Sequence, residues 1–308
     1  MRQVLEALEL LEDPRVDGAM VQGWLAGKGT AALQVTRLEG EGGHTDALTI
    51  WVNGVGGGAT LGIIGQLGGV GARPQRLGLV SDADGAIVAL ACAAKLLEMR
   101  RKGDRLPGDV VITTHICPQA PLLPHAPVPF MGSPVGLPTL LRELVAPEME
   151  AILSVDTTKG NWVLNRIGFA ITPTVKEGYI LRVSEDLLAI MRHVTNGPPQ
   201  VLPITTQDIT PYGNGLYHIN SIMQPATVTA APVVGVATTS AVPVPGPATG
   251  ANQPFALERA ARFCLEVAVA FTRGECRFYD PEEFARLLAL YGSMRHLQTL
   301  GGSAPPGP

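Results

Sequence analysis

Charged residues are scarce in this chain. Asp, Glu, Lys and Arg make up 16% of 308 residues, and aromatic residues only 5%. The formal net charge is −4, and no lysine- or arginine-rich stripe runs along the sequence. Nucleic-acid binding needs clustered cations against phosphates, so this composition counts against it. Cysteine is sparse: Cys92, Cys117, Cys264 and Cys276 form no CxxC pair. A disulfide scaffold and a cysteine-rich zinc ribbon are both excluded, and free thiols in a cytoplasmic protein are the expectation.

Long apolar runs are missing too. The best of them, Ala86–Leu97, is interrupted by Lys95 and falls short of the ~20 residues that span a bilayer. The opening residues Met1-Arg2-Gln3-Val4-Leu5-Glu6 lack the charged start and continuous apolar core of a secretory signal. No membrane association is expected.

What is abundant is apolar residues at 46%, glycine at 36 and proline at 26. The first figure excludes a disordered chain. The glycines show no three-residue period, which excludes collagen. Residues 1–28 read as a helical segment, with Leu5, Leu8, Leu10 and Leu11 as its apolar face. Leu33–Thr36 and Leu48–Val52 alternate like strands. The glycine-crowded segment Gly54–Gly71 lacks a Gly-Lys-Ser/Thr ending, so it reads as tight turns rather than a phosphate loop.

The span 77–114 reads as a parallel crossover unit. A strand at Leu77–Val80 is followed by a helix from Ala86 to Lys102, which Asp82 or Asp84 can cap and Gly103 stops. A second buried strand follows at Asp109–Thr114. Next come a proline-rich loop from Cys117 to Gly136, a helix at Leu137–Leu144 and a strand at Ala151–Val155. A helix at Glu185–Val194 capped by Ser184, a strand at Ala231–Val236 and a long helix at Phe255–Phe271 complete the pattern. Residues 1–300 are expected to form one α/β domain, a three-layer α/β/α sandwich with a mixed, mostly parallel sheet; residues 301–308 read as a flexible tail.

Ligands of an open parallel sheet sit outside the carboxyl ends of its strands. The chain delivers polar residues to such ends repeatedly: Asp82 and Asp84, then His115 and Cys117, then Asp156 with Thr157, Thr158 and Lys159. His44 and Asp46 sit just before the strand at 48–52. Imidazole and carboxylate converging on one rim suit a divalent metal, zinc first. Helix capping accounts equally for Asp82 or Asp84, and turns account equally for His44 and Asp156.

The motif His44-Thr45-Asp46, the Gly68-Gly69 step, Asp82 ahead of an apolar helix and Asp156 at a strand end follow one another in the order of the zinc-dependent exopeptidases. The chain resembles their glutamyl and tetrahedral aminopeptidase branch over residues 40–270. It also resembles, over its whole length, domain of unknown function 1177, which implies no established activity. The peptidase resemblance implies a phosphorylase/hydrolase-like fold and metal ligands at His44, Asp82 and Asp156.

The departures are specific. The strand at 109–114 should lead into a Glu-Glu pair holding the general base, and here it reads Thr114-His115-Ile116-Cys117-Pro118. The last metal-binding histidine should fall in Pro245–Gly250, which contains none. Only 37 residues separate His44 from Asp82, too few for the inserted domain of that family.

The expected activity is metal-assisted hydrolysis of an amide or related bond in a small metabolite, with one divalent metal in a rebuilt site. Its substrate-side candidates are Asp84, Lys159, His125, Asn214 and His218. The alternatives are a non-catalytic small-molecule-binding or scaffold protein, and a hydrolase using Cys117 as nucleophile with His115 as base. A small-molecule ligand and self-association into a homo-oligomer complete the expectation.

Overall fold

The structure, a computed structural model, describes residues 1–66, 68–124, 129–204 and 221–298. Its first strands are β1 (Ala32–Gly40), β2 (Gly43–Val52), β3 (Leu61–Gly65) and β4 (Val110–Ile116). A two-stranded ribbon, β5 (Leu122–Leu123) with β6 (Phe130–Met131), stands apart. Then follow β7 (Ala151–Thr157), β8 (Gly168–Ile171), β9 (Val175–Lys176), β10 (Tyr179–Ile180) and β11 (Val233–Thr239). The helices are α1 (Arg2–Glu12), α2 (Gly18–Ala26), α3 (Asp84–Arg101), α4 (Leu137–Leu144), α5 (Glu185–Thr195), α6 (Pro254–Thr272) and α7 (Pro281–Tyr291).

A nine-stranded sheet runs in the order β1-β2-β4-β3-β7-β11-β9-β10, with β8 also on β11. Its centre, β4-β3-β7-β11, is parallel, and its flanks are antiparallel. Strand residues alternate between two apolar layers. Ala151, Leu153 and Val155 of β7 join the core with α1, α3 and α6; Ile152 joins the layer beside α4 and the 3-10 helix Ser221–Thr227. The expected three-layer sandwich is thus what the chain forms.

Helix α3 is buried on nearly every side, with Ala86–Ala94 all inaccessible or nearly so. A helix apolar all round belongs between layers, and small alanines let α3 lie between the sheet and α1 and α6. Ser184 caps α5 as expected, accepting from the Leu187 N–H at 3.2 Å.

Two local expectations fail. Leu77–Val80 is not a strand: Gly78 sits at φ +88° and Leu77 is 81% exposed. The strand that feeds α3 is β3, inside the glycine-crowded segment read as turns. Neither Asp82 nor Asp84 caps α3, whose N-cap is Ala83 without a side-chain bond. The Asp84 carboxylate is used elsewhere in the fold.

Candidate functional site at the switch point of the sheet

Strand β3 passes through α3 to β4 on one side, while β7 continues to β11 on the other. The crevice between β3 and β7 is therefore the switch point of the parallel sheet, the place where such folds bind ligands. Three stretches of backbone meet there. The Gln66 N–H donates to the Val155 carbonyl at 2.8 Å. A Cβ on Gly85 would lie 2.6 Å from both the Gln66 and the Val155 oxygens, so only glycine lets α3 start so close to the sheet. Ser81 Oγ lies 3.5 Å from Thr157 Oγ1. Asp82 and Asp156 are the chain neighbours of those two hydroxyls, and Gln66 follows Gly65, the register partner of Val155.

All three are buried. Gln66 is 2% exposed, Asp82 7% and Asp156 0%. Asp156 Oδ1 accepts from the Thr157 N–H at 2.7 Å. The loop after β11 closes over Asp82: its N–H donates to the Gly246 carbonyl at 3.1 Å, and Ser81 N–H donates to Ala248 at 2.7 Å. The Nε2 of Gln66 has no hydrogen-bond partner among the described residues. Sequence reasoning missed Gln66, although the apolar run Leu61-Gly62-Ile63-Ile64 before it could have flagged a strand end.

His44 does not join this group. It is an exposed residue of β2, paired across the hairpin with Glu39. Strands β2 and β7 stand three interstrand steps apart, about 14 Å. His44 also shares the parity of Asp46, whose carboxylate bonds the Gly18 N–H on the helix-covered face. Asp156 is on the other face. Burial pushes the Asp46 carboxyl up, but the Arg37 guanidinium and the Gly18 N–H together hold it below its ordinary value. Asp46 is thus committed to the fold.

His115 and Cys117 do not form a nucleophile and base. His115 Nε2 accepts from the Gly68 N–H at 3.0 Å, so the ring proton is on Nδ1. Nδ1 then donates to Thr45 Oγ1 at 2.8 Å, and that hydroxyl donates to the Ile116 carbonyl at 3.0 Å. Both ring nitrogens are saturated in the neutral form, and burial lowers the pKa to about 4. Cys117 Sγ faces the His44 carbonyl at 3.7 Å, and its thiol is pushed up to about 11, mainly by burial. Neither feature suits a thiolate nucleophile.

Asp84 and Lys159, expected at the substrate, are bonded to each other instead. Lys159 Nζ lies 2.6 Å from Asp84 Oδ2, with the side chains 2% and 1% exposed. Thr238 Oγ1 donates to the same oxygen at 2.7 Å, and Asn252 Nδ2 donates to Oδ1 at 2.7 Å. Lys159 also donates to the Ala251 carbonyl at 2.9 Å. This sealed network ties β7, β11, α3 and the loop before α6 together. His125, Asn214 and His218 lie outside the described residues.

Among the described residues no group of three or more His, Cys, Asp or Glu converges as a metal site. Gln66, level with Asp156 across β3 and β7, carries an amide rather than an imidazole. A Cβ at Gly246 would fall 2.6 Å from either Asp82 oxygen, so the loop expected to carry the last histidine has closed onto the carboxylate. Among the described residues this donor set does not supply the three or four close N, O or S ligands that zinc takes.

The model of the family described as protein of unknown function, DUF1177, matches residues 36–301. The chain belongs to this family. Among curated proteins nothing matches. Several solved structures share the fold with the DUF1177 chain at low identity. A mutant of tomato leucine aminopeptidase aligns with a TM-score of 0.51 and 11% identity, over 86% of this chain and 61% of that one. The LapA aminopeptidase of Legionella pneumophila aligns at 0.50 and 8%, over 88% and 69%. The TET aminopeptidase from the marine sediment archaeon Thaumarchaeota archaeon SCGC AB-539-E09 aligns at 0.50 and 11%, over 89% and 98%. The chain thus spans less than two thirds of the tomato protein. At these identities the likeness fixes a peptidase-like α/β scaffold for the DUF1177 chain and leaves its chemistry to its own residues. No helix among the described residues is long and apolar enough to cross a membrane.

Proposed function

We propose that this protein binds a small polar molecule in the crevice between the ends of β3 and β7, on a scaffold shared with hydrolases. The observation that carries this reading is the meeting of Gln66, Gly85 and Val155 at the switch point, with Asp82 and Asp156 next in the chain to the Ser81–Thr157 contact. The carboxyl groups of Asp82 and Asp156 favour a ligand head that carries an ammonium or amide N–H. The Gln66 amide supplies a donor for an acceptor on the same ligand.

Metal-assisted hydrolysis of an amide bond, the leading expectation from sequence, becomes the second reading. Asp82 and Asp156 favour it. The third ligand would have to come from outside the described residues, where His125 and His218 lie. The Cys117 mechanism is set aside, because its thiol is buried and His115 is saturated.

The test is saturation-transfer NMR with n-butylamine as an ammonium probe, on wild type, Asp82→Asn and Gln66→Leu. Transfer to the probe that drops roughly tenfold in Asp82→Asn supports the crevice. Absence of transfer in the folded wild type, or equal transfer in all three proteins, refutes it.

A further inference from the structure

The polar residues of the crevice continue downwards, away from the rim. On the sheet face opposite α3, Gln66 of the β3 end stands beside Asp156, and Ser154 lies two residues deeper on the same face of β7. The 3-10 helix Ser221–Thr227 packs on β7 and β11 and roofs this face. Ile222 lies directly over Gly235, where a Cβ would come 2.9 Å from Ile222 Cδ1. Gly235 is the register partner of Ser154. Gln224 of the same helix is fully buried.

These residues share an anomaly. Gln224 Nε2, Gln224 Oε1, Ser154 Oγ and Gln66 Nε2 are all buried, and none has a hydrogen-bond partner among the described residues. Native folds leave few such groups, because each one costs the desolvation of a polar atom. Nearby hydroxyls on this face are satisfied. Thr172 Oγ1 accepts from the Gly235 N–H at 2.8 Å, and Thr113 Oγ1 donates to the Leu144 carbonyl at 2.7 Å. Buried atoms without a partner among the described residues also occur at Arg73 Nη1 and Asn165 Oδ1, but the four orphaned atoms named above follow one strip running inwards from the crevice.

We propose that this strip is an amide-recognition subsite, with Gln224 as its specificity-determining residue. A glutamine side chain offers one donor and one acceptor in a plane, and the group that satisfies both at once is a carboxamide or lactam edge with adjacent N–H and C=O. Ser154 and Gln66 supply the flanking hydrogen bonds. The wall that yields to admit the ligand is the 3-10 helix, whose hydrogen bonds are poorer than an α-helix's and which contains Pro225. The inference deepens the crevice reading and rests on it: the ligand carries an N–H-bearing head at the rim and an amide inside.

Propionamide and methyl acetate test this by saturation-transfer NMR, because the ester keeps the carbonyl and lacks the N–H. Wild type should favour propionamide roughly tenfold, and Gln224→Met, of similar volume, should abolish the preference. The ligand-free Gln224→Met protein should also melt about 2 °C or more above wild type, since an unsatisfied buried amide has been removed. A lower melting temperature would show that the fold itself satisfies Gln224, and equal response to both probes would show no amide readout; either result overturns the subsite. If n-butylamine still binds at the rim while propionamide fails, the subsite alone falls. If n-butylamine fails as well, the crevice reading falls with it.

Discussion

Lys159 Nζ and Asp84 Oδ2 are 2.6 Å apart at the carboxyl end of the parallel strands, in a pocket sealed from water. A buried pair of this kind is held by its hydrogen bonds, and here Thr238, Asn252 and the Ala251 carbonyl supply them.

Removing one partner should strand the other charge. Lys159→Met and Asp84→Asn are each expected to lose about 3–5 kcal/mol in urea unfolding. The double variant should lose clearly less than the sum, because neither charge is then left alone. Additive losses would mean that the two side chains act independently.

His115 should make the fold acid-sensitive. Its folded pKa is about 4 against an ordinary 6.5, because burial favours the neutral ring. The stabilisation is fully present above pH 6.5 and is lost as pH falls from 6.5 towards 4, by about 3 kcal/mol in all. His115→Gln should flatten that part of the stability profile, measured by urea midpoints across pH. Identical profiles in both proteins would contradict a buried neutral ring.

The thiols should be silent. All four cysteines are buried, and burial pushes Cys117 up to about 11 and Cys276 up to about 12. Iodoacetamide at pH 7.5 is expected to leave the native protein unmodified and to label four thiols after unfolding. Rapid labelling of native Cys117 would return the nucleophile reading to consideration.

Zinc should bind weakly or not at all. Protein incubated with zinc and then passed through a desalting column is expected to retain well under one ion per chain. One ion per chain, lost in Asp82→Asn, would put the hydrolase reading first.

The architecture was legible where side-chain pattern and backbone demand agree. The alanine-rich α3 and the Ser184-capped α5 are examples. Strand β3 was hidden because its glycines are there for packing: a Cβ at Gly62 would lie 2.5 Å from Met149 Sδ. Asp82 and Asp156 were read towards one rim because both directly follow or end strand-like runs, although the run before Asp82 is not a strand. His44 was misplaced for a different reason. A strand's direction in the sheet is not written in its own residues, and β2 runs antiparallel to β4. The partners of His115, Thr45 and Gly68, are far away in sequence and could be assigned only from coordinates.

The contact between Gly246 and Asp82 bears on what evolution or engineering could make of this scaffold. Gly246→His would thrust its first side-chain atom against both carboxylate oxygens. Those oxygens are the far end of a side chain, so the substitution would swing the Asp82 carboxylate aside while the backbone bonds that anchor the loop to Ser81 and Asp82 stay. At this position a histidine side chain and the present placement of the Asp82 carboxylate exclude each other.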